Sequence, residues 1–349
     1  MEKNKKMGLR KILYEIPKTE IHLHLEGLAS IDTIWKLITK HNLSFPGIST
    51  KEELAKKYHI QSLDEFITLF INIIQNCFQQ IDDLDLLFDD ASSYLKKNNI
   101  VYAEIFFAPS SFLNNGFSFK PIMNKLDKGA ERIKKEDNID IRFLIDVSRT
   151  FGIQNAQNNL DLTIANKRDA VIGIGLGGSE RKGPAKDFKA IFEKASKNGL
   201  HVVAHAGEDL GPESIWDAVK ELRAERIGHG ISAIQDTTLM DYLKKEKIPL
   251  EICPTSNLFT RRYVKHIKEH PIKDFFDHGM VVTVNTDDPA IFRIDLIDEY
   301  MLLFENGIFT GDEIFDIIRS GVSASFLPHE KKQTLLDTIN KHIDKIKTV

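Results

Sequence analysis

The sequence predicts a single (β/α)8 TIM barrel, and three observations predict it. Eight short apolar runs recur along the chain, most of them followed by a longer amphipathic helical stretch. Polar motifs close the first, fourth, fifth, sixth and eighth of these runs, and barrel enzymes place their chemistry at that end of each strand. No repeat, low-complexity tract or Pro/Gly/Ser linker divides the chain, so residues 1–349 read as one domain. A doubly wound open sheet is the main competing architecture. Motifs from strands so far apart converge naturally only around a closed ring.

The runs expected as strands are 21–25, 101–107, 141–147, 171–176, 202–205, 226–228, 249–253 and 281–285. Between them, 184–198 reads as a helix stopped by Gly199, and 212–222 opens on Pro212 with Glu213 in its first turn. Segments 236–246 and 267–278 follow the same habit, the second closing at Gly279. The stretch from about 30 to 97 is too long for one crossover helix. It is expected to be a helical insertion after the first strand, with Phe66, Leu69, Phe70 and Ile73 on one face, able to cover a mouth of the barrel.

Composition excludes several classes of function. The 47 basic and 51 acidic residues give a net charge of -4, which offers nucleic acid or an anionic membrane no attraction. Lys3, Lys5, Lys6 and Arg10 resemble the start of a signal peptide, but Ile12-Leu13 leads straight into Tyr14-Glu15 without an apolar core. No stretch approaches the roughly 18 apolar residues of a membrane span. Cys77 and Cys253 suggest no disulfide framework. A cytoplasmic protein acting on a small molecule is expected.

His22 and His24 lie two apart on the first run, so both imidazoles project from one face of a strand. His205 ends the fifth run, and Asp287 follows the eighth. Three imidazoles and a carboxylate suit one Zn2+ per chain, which lowers the pKa of a bound water toward neutrality. Glu208, three residues past His205, is placed to move protons without binding the metal. His229 sits between Gly228 and Gly230, which allow close approach to a ligand. In the pair Asp287-Asp288, one carboxylate can bind metal while its neighbour faces substrate. The run Gly173-Ile-Gly175-Leu-Gly177-Gly178-Ser179-Glu180 fits neither phosphate-loop pattern and reads as bare backbone against a flat ligand. The other eight histidines, His41, His59, His201 and His278 among them, carry no motif.

With these residues in place, the chain resembles the adenosine deaminase family of the amidohydrolase superfamily from Ile16 to at least Asp298. The motifs stand in family order: His-x-His, the glycine-rich strand end, His-Ala-Gly-Glu, Arg-Ile-Gly-His-Gly, Cys-Pro-Thr-Ser-Asn and Asn-Thr-Asp-Asp-Pro. The resemblance implies zinc on His22, His24, His205 and Asp287, Glu208 as proton shuttle and His229 beside the attacking water. It further implies a 6-aminopurine substrate, with Asp288 at N7 and the Gly178 amide at N3. Water would add at C6 and ammonia would leave.

Two departures concern the sugar end. Adenosine-specific members usually carry Asp where this chain has Glu26, a position that meets the ribose 5′ hydroxyl, and they read Gly-x-Asp-Leu-Ala-Gly-Asp-Glu where this chain has Gly175, Gly177 and Ser179. Relatives with such changes resemble deaminases of free adenine or of aminodeoxyfutalosine. A nucleoside is expected rather than a nucleotide, since basic residues enter only at Arg181, Lys182, Arg261 and Arg262, beyond the motifs. The rivals are a dinuclear amidohydrolase, which would need a bridging lysine at a strand end, and an inactive binding module.

Overall fold

Branched and aromatic runs form strands because such side chains suit a pleated surface covered on both faces. The computed structural model describes residues 2–260 and 262–347. Its eight strands are β1 Lys18–His24, β2 Ile100–Phe107, β3 Asp140–Asp146, β4 Val171–Leu176, β5 His201–Ala206, β6 Arg226–His229, β7 Leu250–Ile252 and β8 Val282–Val284. Each pairs in parallel with the next, in the order β1 to β8. The ring closes between its first and last members. His24 N–H donates to the Asp287 carbonyl at 3.0 Å, and Asp287 N–H donates to that of His22 at 3.2 Å. Ile21 N–H adds a bond to Asn285 Oδ1 at 3.1 Å. The fold is the expected (β/α)8 barrel.

The main apolar core lies between the strands and the outer helices. Inside the ring, Phe106, Leu144 and Val203 form a smaller cluster with Ile172 and Phe326. Phe326 plugs the lower mouth, stacked 3.8 Å from the His201 ring at the start of β5 and under the Arg226 guanidinium. Lys18 sits at this end too, its Nζ donating to the Leu13 and Ile16 carbonyls. No described helix is long and apolar enough to cross a membrane.

One helical segment differs from expectation, and the insertion, several helices as expected, is shorter than 30–97. The stretch 267–278 is split into a short 3-10 turn, Ile267–Glu269, and a helix, Ile272–His278. Pro271 lacks the N–H a continuous helix needs, and the His270 ring accepts from Ile272 N–H at 3.1 Å instead. The stretch 30–97 is several helices, among them Ile31–Lys40, Lys51–Lys57 and Leu63–Leu69. Its last one, Leu84–Lys97, packs on β2 and on the helix Phe119–Asp137 as an ordinary crossover helix. The extra material therefore ends near residue 83.

Candidate active site

At the C-terminal mouth the strand ends bring six charged or ionisable side chains together. His22 and His24 project from β1, His205 from β5 and His229 from β6, with Asp287 and Asp288 just past β8. His24 Nε2 lies 3.2 Å from Asp287 Oδ1 and 3.3 Å from His205 Nε2. His22 Nε2 lies 3.4 Å from the same carboxylate oxygen. Gly228 makes the approach possible, since a Cβ there would stand 2.7 Å from His22 Cε1. His229 and Asp287 both hold positive φ, 59° and 67°. Such backbone is costly away from glycine and persists where the surroundings impose it.

Partners behind these side chains fix their orientation. His22 Nδ1 donates to Glu251 Oε2 at 2.7 Å, which leaves Nε2 as a lone pair aimed at the cluster. Burial alone would lower the His22 pKa, but the neighbouring Asp287 and Glu251 carboxylates raise it to about 9. The same negative field attracts any cation. Burial, with the charge of His22, holds His205 well below the ordinary range, so it is a neutral nitrogen donor. Ser256 Oγ donates to Asp287 Oδ2 at 2.8 Å. Three neutral-capable imidazoles and one carboxylate form a donor set that fits zinc. Two overlapping donor groups share Asp287: His22, His205 and His229 with it, and His24 and Asp288 with it. The four expected ligands span both groups, and His229 belongs to the first of them.

A chain of hydrogen bonds sets the His229 tautomer. Ile272 N–H occupies His270 Nδ1, so His270 Nε2–H donates to Asn257 Oδ1 at 3.2 Å. Asn257 Nδ2 then donates to His229 Nδ1 at 3.1 Å. The proton of His229 is left on Nε2, 3.6 Å from Glu208 Oε2. Burial pushes the His229 pKa down to about 3, keeping the ring neutral.

Glu208 and Asp288 are buried carboxyls whose affinity for a proton is raised. Burial, reinforced by the Asp287 carboxylate, raises both well above the usual range. Neither oxygen of Asp288 has a hydrogen-bond partner among the described residues. The turn carrying Glu208 is gripped by Glu180, whose carboxylate accepts from the N–H groups of Gly207 (2.8 Å), Glu208 (2.9 Å) and Asp209 (2.8 Å) and from the Ser214 hydroxyl. Arg149, fully buried, ties the same turn to the β4 loop through the carbonyls of His205 and Gly183.

These groups face a cavity lined by His24, His205, Glu208, His229, Asp287 and Asp288 on its floor, with Gly178 at its side. The helix Leu63–Leu69 and the turn after it roof the cavity with Phe66, Ile67, Phe70 and Ile71. Glu26 is elsewhere. It is fully buried in the 3-10 turn Glu26–Leu28, where Oε1 accepts from Ala108 N–H and Gln75 Nε2, both at 3.0 Å. Gln75 and Ala108 line the cavity and Glu26 does not. Residues to which the sequence assigned no role also enter: Glu251, His270, Asp146, and two that close quoted runs, Asn257 and Glu180; Asp146 lines the cavity beside Ser148 and Thr150.

A family profile described as adenosine deaminase matches residues 17–342. The chain is 32% identical over 337 residues to the aminodeoxyfutalosine deaminase of Streptomyces avermitilis, covering 96% of this chain and 93% of that protein. It is 31% identical over 338 residues to the adenine deaminase of Acinetobacter baylyi, covering 96% and 100%. Among solved structures, the adenine deaminase of Arthrobacter aurescens superposes with a TM-score of 0.88 at 27% identity, over 94% of this chain and 99% of that one.

Proposed function

The chain belongs to the adenosine deaminase family, and from that premise we propose that it deaminates a 6-aminopurine nucleoside, releasing ammonia and leaving a 6-oxopurine. As a member it is a hydrolase of carbon–nitrogen bonds acting on 6-aminopurines of the adenine or adenosine kind. The observation that carries the proposal is the meeting of two buried carboxyls, Glu208 and Asp288, and the His229 Nε2–H on a single cavity beside the His/Asp donor cluster. A purine offers acceptors at N1, N3 and N7, one for each of Glu208, the Gly178 amide and Asp288. Protonation of N1 by Glu208 draws electrons from C6 and prepares it for attack. His229 Nε2–H donates to the incoming oxygen and holds it over C6. Glu208, having given its proton to N1, takes one from the incoming water and passes it to the amino nitrogen, which departs as ammonia. The remaining proton on the C6 oxygen returns to Glu208 as the 6-oxo group forms.

His22, His24, His205 and Asp287 would hold one zinc ion, whose charge acidifies a water toward neutral pH. The roof of Phe66 and Phe70 keeps bulk solvent from the reacting centre. A dinuclear mechanism has no support, since no lysine lines the cavity among the described residues.

The same lining bears on the substrate. It contains neither Lys nor Arg among the described residues, so a 5′ phosphate meets no counter-charge. Arg181 pairs with Asp209, and Arg262 lies over the Tyr263 ring. Arg261 falls outside the described residues. An apolar wall of Phe66, Phe70 and Phe292 favours a second reading, a nucleoside with an uncharged or apolar 5′ substituent such as aminodeoxyfutalosine. Both cysteines are free and buried, in keeping with a cytoplasmic setting. Ammonia release from adenosine, aminodeoxyfutalosine, adenine and AMP tests the proposal. A nucleoside should be turned over fastest, and faster release from adenine or AMP would overturn it.

A further inference from the structure

The order of strands around the mouth fixes the order of groups around a bound purine. Glu208 follows β5, Gly178 follows β4, and Asp146 ends β3, so the three stand side by side around the ring. On a purine, N1, N3 and the N9 substituent also follow one another along one edge. With Glu208 at N1 and Gly178 at N3, the next position belongs to the sugar. The side chain waiting there is Asp146, on the cavity wall beside Ser148 and Thr150.

Asp146 is built to accept one more hydrogen bond. Its Oδ1 accepts from Ser148 N–H at 2.7 Å and Gly177 N–H at 2.9 Å, which holds the carboxylate in one orientation. Oδ2 has no hydrogen-bond partner among the described residues. Space is kept in front of it, because a Cβ on Gly177 would come within 2.6 Å of that oxygen. From this geometry we infer that Asp146 Oδ2 accepts a hydrogen bond from a ribose hydroxyl of the substrate and so selects a nucleoside over the free base. The carboxylate also adds negative charge to a wall without cations, which turns away phosphorylated sugars. Glu26, engaged by Gln75 and Ala108, supports that wall from behind rather than reading the sugar itself.

The inference rests on the deaminase reading above, and one set of assays separates the two. Wild type and Asp146→Asn are compared on adenosine, 2′-deoxyadenosine, 3′-deoxyadenosine and adenine by ammonia release. In the variant the two backbone amides keep the side-chain oxygen, so the atom facing the cavity changes from acceptor to amino donor. A hydrogen bond to a charged group is worth roughly 10- to 150-fold in affinity. The variant should raise the adenosine KM by about that factor and raise the adenine KM far less. One of the deoxynucleosides should show the same penalty with wild type and little further loss with the variant. Asp146→Ala, checked for folding by circular dichroism, should repeat this non-additive pattern. Penalties for variant and missing hydroxyl that simply multiply, or equal effects on adenosine and adenine, would overturn the inference and leave deamination standing. A wild-type enzyme that releases ammonia from none of the four, nor from aminodeoxyfutalosine, would overturn the deaminase reading, and this inference with it.

Discussion

The two ends of the barrel interior both bury charge, and they treat it in opposite ways. At the lower end Arg226 lies between Glu104 and Glu251, meeting Glu104 at 2.6 Å in an ion pair that lies off the ideal hydrogen-bond direction. Tyr102 and Phe326 N–H complete the shell of Glu104 at 2.8 and 2.5 Å. At the upper end, Asp288, His22 Nε2 and His205 Nδ1 have no hydrogen-bond partners among the described residues. Unpartnered buried polar groups cost folding free energy. The contrast teaches that the lower charges serve the fold, whereas the upper ones are held ready for something the fold does not supply.

The largest expected effect lies at the upper end. His22→Ala, His205→Ala or Asp287→Ala should each remove most bound zinc and nearly all activity, because losing one donor of four leaves a labile cation. Metal analysis of the purified variants decides it, and full occupancy in all three would reject the ligand assignment. Next, Glu208→Gln should keep its zinc and lose about 10²–10⁴-fold in turnover. A carboxyl whose pKa is raised on folding binds its proton more tightly in the folded state, so its contribution to stability falls as pH rises above its ordinary range. The Gln variant should therefore melt no lower than wild type at neutral pH. A clearly lower melting temperature would show that Glu208 serves the fold after all.

The lower end should respond in the other currency. Arg226→Met leaves two buried carboxylates facing each other and should cost about 3–5 kcal/mol of stability by denaturant titration. The surviving folded enzyme should lose less activity than Glu208→Gln does. Full stability with abolished turnover would erase the distinction between the two ends, and would implicate the path from Arg226 through Glu251 to His22.

What could be read in the sequence follows the same division. The strands were legible because each is a short branched or aromatic run, and the upper site because its residues sit in tight motifs such as His205-Ala-Gly-Glu208. Glu104, Arg226 and Glu251 were illegible as a group because a charge inside an apolar run carries no sign of which other strand neutralises it. His270 was illegible for a related reason: its partner Asn257 lies 13 residues away, and the helical pattern over 267–278 hides the break at the neighbouring Pro271. Asp146 ends β3 without any motif around it, and only the ring order of the strands reveals what it faces. Glu26 lies in a conspicuous motif yet is not part of the cavity lining: it is buried in the 3-10 turn after β1, where Oε1 accepts from Gln75 and Ala108.

The seam that closes the ring joins residues 264 apart in the chain, Ile21 and Asn285, and the same seam holds His22 and His24 against Asp287. A ribosome therefore delivers the first two of these side chains long before the third. Until the last strand docks, the nascent polypeptide has imidazoles on β1 without the Asp287 carboxylate that they share. Closure of the ring and completion of the donor cluster are one event, so a chain cut short of residue 285 has neither. Catalytic competence then reports that the whole circuit has been closed, and premature chemistry by a half-made product is ruled out by topology alone.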